Sequence, residues 1–158
     1  MIEDWTGRTA LVTGHVSGIG AATANWLEAR GVTVVGCDVA QGQDVADPAT
    51  WGRLAPHLAA IDLAVISAGI STAAPLTELS LYDWRRTLRV NLDGAMLSLQ
   101  SALRAMIAHG RGGAIVVVAS VTGLKAEPGT AAYGASKAGL IQLARVAAKE
   151  GAPHGIRV

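Results

Sequence analysis

Tyr133 and Lys137 stand as Y-x-x-x-K in Ala131-Ala-Tyr-Gly-Ala-Ser-Lys137, thirteen residues after Ser120. On a helix, expected over Ala131 to Gly151, a four-residue step sets both side chains on one face, one turn apart. An ammonium beside a phenol stabilises the phenolate and draws its pKa from about 10 toward the range of a proton-transfer catalyst. Ser120 closes an apolar strand-like run, Gly113 to Ala119, where a hydroxyl can be held rigidly against a substrate oxygen. The three residues make a proton relay, provided another part of the chain handles electrons. Taken alone, the pair is more often a solvated lysine passing a half-buried tyrosine. A second motif decides the matter.

That motif lies near the N-terminus. Arg8 to Thr13 reads as a short strand, Gly14-His-Val-Ser-Gly18-Ile-Gly20 as a turn, and about Ile19 to Arg30 as a helix. Strand, glycine turn and helix is the context of a phosphate-binding loop. Gly14 permits the tight turn, Gly18 the approach of a pyrophosphate, and Gly20 the close packing of helix on strand. The spacing is G-x-x-x-G-x-G rather than G-x-G-x-x-G. A second apolar strand, Thr33 to Asp38, ends in an acid that can accept both hydroxyls of an adenosine ribose and repel a 2′-phosphate. No basic residue follows it, and Ser17 stands where a cation could have met that phosphate. NAD(H) is therefore expected, not NADP(H); an ordinary strand-end turn acid is the alternative for Asp38.

Together these residues resemble the short-chain dehydrogenase/reductase family, in its common single-domain branch. The resemblance runs from about Thr9 to Val158. It rests on Thr13-Gly14-His-Val-Ser-Gly18-Ile19-Gly20, on Ser67-Ala68-Gly69 where the family has Asn-Ala-Gly, on Asn91 in Val90-Asn-Leu-Asp-Gly94, and on Ser120, Tyr133 and Lys137. It implies Tyr133 as general acid/base and Ser120 as the group orienting the substrate oxygen. Lys137 is implied to bond the nicotinamide ribose, and Asn91 to anchor a water linking Lys137 to solvent. Asp44-Val45 is implied to reach the adenine ring. Asn91 interrupts a long amphipathic helix, where its propensity is poor. Two departures stand out. Ser67 offers one hydroxyl where an amide would brace the central strand twice, and only five residues separate Asp38 from Asp44, so that side of the sheet must be short.

One domain spanning residues 1–158 is expected from the length. Strand, helix, strand, short connection, helix, strand, long helix, strand, long helix specifies a right-handed, three-layer doubly wound parallel sheet, the Rossmann fold. Hydrophobic content is 51%, yet the longest strictly apolar stretches are strand-length, which excludes a membrane span. Met-Ile-Glu-Asp-Trp lacks the pattern of an export signal, and the one cysteine, Cys37, permits no internal disulfide, so a cytoplasmic protein is expected. Net charge is +1 without a basic stripe, arguing against nucleic acid. The four histidines have no ligand-like spacing, and no metal is expected.

Ser80 and Asp83 open the long helix with a capping-box-like start, and Leu81, Trp84, Leu88, Leu92, Leu99 and Leu103 recur along it. The resemblance implies pairing through this helix and the Tyr-bearing one, giving a homodimer or homotetramer. The sequence stops at Gly155-Ile-Arg-Val158, as a sixth strand would begin beside the fifth, Gly113 to Ala119. Family members continue for about a hundred residues, so the last strands and substrate lid are expected to lie outside it. Residues 1–158 alone are expected to be poorly soluble or only partly folded, and inactive. The expected activity is interconversion of a secondary alcohol and a ketone with NAD. The alternatives are a non-catalytic nucleotide-binding or scaffold protein, and, much more remotely, a hydrolase using Gly134-Ala-Ser136-Lys-Ala-Gly139, one residue too long for G-x-S-x-G.

Overall fold

A computed structural model describes residues 5–158; the first four residues of the N-terminal segment read above lie outside the described residues. Five strands, β1 (Thr9–Thr13), β2 (Thr33–Cys37), β3 (Leu63–Ile66), β4 (Gly113–Val117) and β5 (Ile156–Arg157), form one parallel sheet in the order β2-β1-β3-β4-β5. The helices are α1 (Gly18–Glu28), α2 (Pro48–Leu58), α3 (Leu81–Leu88), α4 (Gly94–His109) and α5 (Ala131–Gly151). The Gly113 strand is thus the fourth in the chain, not the fifth. It pairs with β5 through Gly113–Ile156 and Ala114–Arg157.

Register assigns the faces. Leu11, Ala64 and Ile115 align across the sheet and pack against Leu54 and Leu58 of α2, Leu99 and Met106 of α4, and Leu140 and Ala147 of α5. Val12, Val65 and Val116 align on the other face, where Val12 packs with Leu27 of α1. This is the doubly wound arrangement, but among the described residues α1 is the one helix of its second layer. Val116 in β4 is 58% exposed because α1 reaches only β1 and β2.

The apolar runs read as strands stop earlier than their sequence. Ser67-Ala68 and Val118-Ala119 leave the sheet and form loops at its C-terminal edge, where parallel sheets keep their ligands. At the same edge the first turn of α1 lies so close to β1 that a Cβ on Gly20 would fall 2.1 Å from the carbonyl oxygen of Gly14. The connection from β2 to α2 is short, a single 3-10 turn at Val39–Gln41 followed by an N-cap in which Asp47 accepts from the Ala49 N–H.

The helix around Asn91 is not regular. α3 and α4 are joined by a π-helical turn, Arg89–Asp93, that widens the rod by one residue and changes its phase. The Leu stripe is therefore split: Leu81 is exposed while Leu99 is in the core. Ser80 caps α3, its hydroxyl accepting from the Asp83 N–H and donating to the Asp83 carboxylate. Asn91, fully buried within the π turn, accepts from the Ile70 N–H at 2.8 Å and donates to the Ile70 carbonyl at 2.8 Å and to Ser136 Oγ at 3.0 Å. Asn91→Ala strands all three partners and should lower unfolding free energy by about 2 kcal/mol, read as a Tm several degrees lower by calorimetry. A Tm unchanged within one degree would show that the amide is not needed to hold this turn.

Candidate active site

The C-terminal edge of β1, β2 and β3 frames a cavity of about 150 Å³ lined by Gly14, Ser17, Asp38, Gln43, Val45, Ala68, Gly69 and their neighbours. Six of the residues expected to hold a dinucleotide line it. Gly20 instead acts by packing, and Ser67 sits behind the wall. Ser67 Oγ donates to the Thr13 carbonyl, while Thr13 Oγ1 accepts from the N–H groups of Ser67 and Ala68 at 3.0 and 3.1 Å. The single hydroxyl of Ser67 therefore supplies one brace of β1 to β3, and Thr13 supplies the others.

Asp38 is buried, at 9% exposure, and each of its oxygens already accepts a backbone N–H, from Val16 at 3.1 Å and from Ala40 at 2.9 Å. A carboxylate has about four acceptor positions, so each oxygen keeps a lone pair for a ribose hydroxyl. Asp44 lies outside the cavity lining. Its carboxylate pairs with Arg89 at 2.8 Å and accepts from the Ala46 N–H. Burial works against ionisation of that group, but the Ala46 and Arg89 contacts outweigh it and hold the carboxyl below its usual range. Cys37 is inert: burial first, then the charges of Asp38 and Asp44, push its thiol up to about 12.

The fit of a dinucleotide can be tested on these atoms. Ser17 is the N-cap of α1 but makes no side-chain cap, so the first helical N–H groups keep no side-chain partner, and Gly18 and Ile19 at the helix start are exposed. Among the described residues nothing stands within 4 Å of a Cβ position on Gly18, leaving open space before those N–H groups. The imidazole of His15 lies against Gly36, and its buried Nδ1 has no hydrogen-bond partner among the described residues. A free anion-binding helix start and an acceptor pair at Asp38 suit a phosphorylated ribonucleotide. Gln43 was not legible as a lining residue, since no motif carries it.

Gly69 ends the cavity and begins the second half of the site. A Cβ there would fall 3.3 Å from Asn91 Oδ1 and 3.8 Å from Lys137 Nζ, so both side chains close in behind it. Lys137 is 4% exposed; Nζ donates to the Val118 carbonyl at 2.8 Å and lies 5.7 Å from the centre of the Tyr133 ring. Tyr133 and Lys137 do share one face of α5, as their spacing requires. Ser120 follows β4 and caps the turn Val121–Gly123, its Oγ accepting from the Thr122 N–H at 3.3 Å and sharing a 2.9 Å hydrogen bond with Thr122 Oγ1. That turn sits directly on α5: a Cβ on Gly123 would be 2.8 Å from the carbonyl carbon of Lys137. Ser136 is fully buried, its Oγ donating to the Tyr133 carbonyl at 2.7 Å and accepting from Asn91. A hydroxyl so committed is no nucleophile, and the hydrolase alternative falls.

A family model described as short chain dehydrogenase matches residues 37–158. The chain is 40% identical over 182 aligned positions to cis-4-hydroxycyclohexanecarboxylate dehydrogenase of Sinomonas cyclohexanicum, covering 100% of this chain and 73% of that protein. It is 39% identical to D-threitol dehydrogenase of Mycolicibacterium smegmatis, over 96% of this chain and 67% of that one. A crystal structure of a short chain dehydrogenase from Mycobacterium smegmatis superposes with a TM-score of 0.88 at 28% identity, over 97% of this chain and 75% of the other. The 182 aligned positions exceed the 158 residues of the chain, so the Sinomonas protein carries extra residues inside the shared region, in accord with the short connection after Asp38.

Burial disfavours the Lys137 ammonium and lowers its pKa from the usual 10.5. Between that lowered value and 10.5 the unfolded chain binds more protons than the folded one, so this group makes stability rise with pH through the window. Denaturant melts of wild type and Lys137→Met across alkaline pH should show the wild type gaining on the variant. A constant or shrinking difference would show that the buried amine does not titrate in this way.

Proposed function

Since the chain belongs to the short-chain dehydrogenase family, we propose that it is an NAD-dependent oxidoreductase interconverting a secondary alcohol and a ketone, with Tyr133 as general acid/base. One observation carries this reading. The cavity that begins at Asp38 ends at Gly69, directly in front of the buried Lys137 amine and one helical turn from Tyr133. An acceptor for adenosine at one end and a proton-transfer pair at the other suit a molecule as long as a dinucleotide.

Asp38 would accept from the adenosine ribose, the start of α1 would take the pyrophosphate, and Lys137 would donate to the nicotinamide ribose. Bound there, NAD supplies the hydride acceptor. The residues of the chain manage the proton. In oxidation the Tyr133 phenolate takes the hydroxyl proton, Ser120 holds the substrate oxygen, and Lys137 stabilises the phenolate and passes charge toward the Asn91 side. The Thr122 N–H donates to Ser120 Oγ, and with the Thr122 hydroxyl turned to donate as well the serine's own proton is left for the substrate. Relatives named as dehydrogenases of cis-4-hydroxycyclohexanecarboxylate, D-threitol and sorbitol point to hydroxylated substrates and supply the first assay panel.

The setting belongs to the same proposal. Among the described residues no helix is long and apolar enough to cross a membrane, and a free buried cysteine accords with the cytoplasm. Met96, Ile107 and Val146 expose apolar surface around a groove of about 300 Å³ between α4 and α5. A second copy packed there gives a homodimer or homotetramer, and a monomer by sedimentation would refute it.

Titrating both cofactors against tryptophan fluorescence should give at least about tenfold tighter NAD(H) than NADP(H), a difference of about 1.4 kcal/mol that Asp38→Ala narrows. Equal or tighter NADP(H) binding would overturn the assignment. In the active protein Tyr133→Phe should leave at most a few per cent of kcat while NAD(H) affinity stays nearly intact. Retained turnover would remove Tyr133 from its role.

A further inference from the structure

Gln43 sits at the adenosine end of the cavity, on the short connection that replaces a longer excursion after β2. Three contacts of its own, and one from Gln41 beside it, clasp it to the end of that strand. Its N–H and that of Gln41 donate to the Asp38 carbonyl at 3.1 and 3.0 Å, its own carbonyl accepts from Cys37 Sγ at 3.7 Å, and its side-chain Oε1 accepts from the Asp38 N–H at 3.4 Å. An N–H donor can be met only by the oxygen of a carboxamide, so this last contact fixes which way the planar group faces. The amide nitrogen is thereby turned away from Asp38 N–H, and it makes no hydrogen bond within the described residues. Gln43 itself lines the cavity beside Asp38, Val45, Ala68 and Gly69.

We propose that Gln43 is a further cofactor-binding residue, its side-chain amide nitrogen donating to an acceptor on the adenosine half of the dinucleotide. The inference rests on the dinucleotide reading above. The chemistry is complementary. Asp38 offers acceptors only, matching the ribose hydroxyl protons, while the Gln43 nitrogen offers donors only, matching ring nitrogens and ribose oxygens. Neither residue alone can satisfy both kinds of group on adenosine. The short connection brings the two together because Asp38 and Gln43 hydrogen-bond to each other through main chain and side chain.

Two variants separate a ligand contact from a mere cap on β2. Gln43→Glu keeps an oxygen for the Asp38 N–H but has no donor; Gln43→Met keeps neither. The probes are NAD+, uncharged adenosine and nicotinamide mononucleotide, titrated calorimetrically at high ionic strength so that the charge added by glutamate is screened. Both variants should bind adenosine and NAD+ about tenfold more weakly than wild type, with nicotinamide mononucleotide changed less than about twofold, a loss typical of one hydrogen bond in a partly buried site. If Gln43→Glu binds adenosine within twofold of wild type, Gln43 is only a cap and the proposal is overturned, whether or not Gln43→Met folds. If wild type binds NAD+ and both variants match it, this inference alone fails. If wild type binds neither NAD+ nor adenosine, the dinucleotide reading fails and takes this one with it.

Discussion

The side-chain amide of Asn91 joins three segments that lie far apart in the chain: the loop after β3, the π turn between α3 and α4, and the first turns of α5. It does so with every hydrogen the amide has. Ile70 N–H and C=O are both taken, as a neighbouring strand would take them, and the remaining N–H goes to Ser136, whose hydroxyl is tied to the carbonyl of Tyr133. A buried network of this kind is strong only while complete, because any member left alone costs its full desolvation. The position of Gly69, which ends the cavity at Asp38, and of Lys137, which stands behind it, both follow from this clasp. The π turn is what lets an asparagine side chain reach that far out of a helix.

Around the clasp, two backbone contacts set the rest of the site. Gly20 lets α1 begin against the end of β1, so that helix N–H groups face the cavity, and Gly123 lets the Ser120 turn lie on the backbone of α5. Phenol and amine are thus held by α5, and the hydroxyl by a loop pinned against that helix, which is the condition for proton transfer at fixed geometry. The sheet beneath is covered unevenly. α2, α4 and α5 bury one face, whereas the other is covered over β1 and β2 and open at Val116.

Much of this was legible in the sequence, for reasons that can be stated. The order of strands and helices follows from apolar runs of strand length alternating with longer periodic segments, and α5 ends where it was expected, at Ala131 and Gly151. The glycine turn and the Tyr133–Lys137 pair are local patterns whose geometry is fixed by spacing. What could not be read rests on contacts between distant segments. No periodicity announces the π turn, which splits the Leu stripe and leaves Leu81 in solvent. The strands end two residues early because Ser67 and Val118 are needed as loop, and hydrophobicity does not mark that. Thr13 taking over bracing that Ser67 cannot supply, and Gln43 folding back on Asp38, depend on distances that sequence does not carry.

The central claim is that the cavity at Asp38 and the amine at Lys137 are two ends of one dinucleotide site. Lys137 Nζ now donates to the Val118 carbonyl, and a ligand reaching it must present its own oxygen there. A crystal structure of the protein with NAD+ tests this most directly. The account predicts the adenosine ribose on the Asp38 carboxylate, the pyrophosphate at the start of α1, and a nicotinamide ribose hydroxyl within hydrogen-bond distance of Lys137 Nζ. A dinucleotide bound with its nicotinamide end away from Lys137 and Tyr133, or bound outside this cavity, would contradict it.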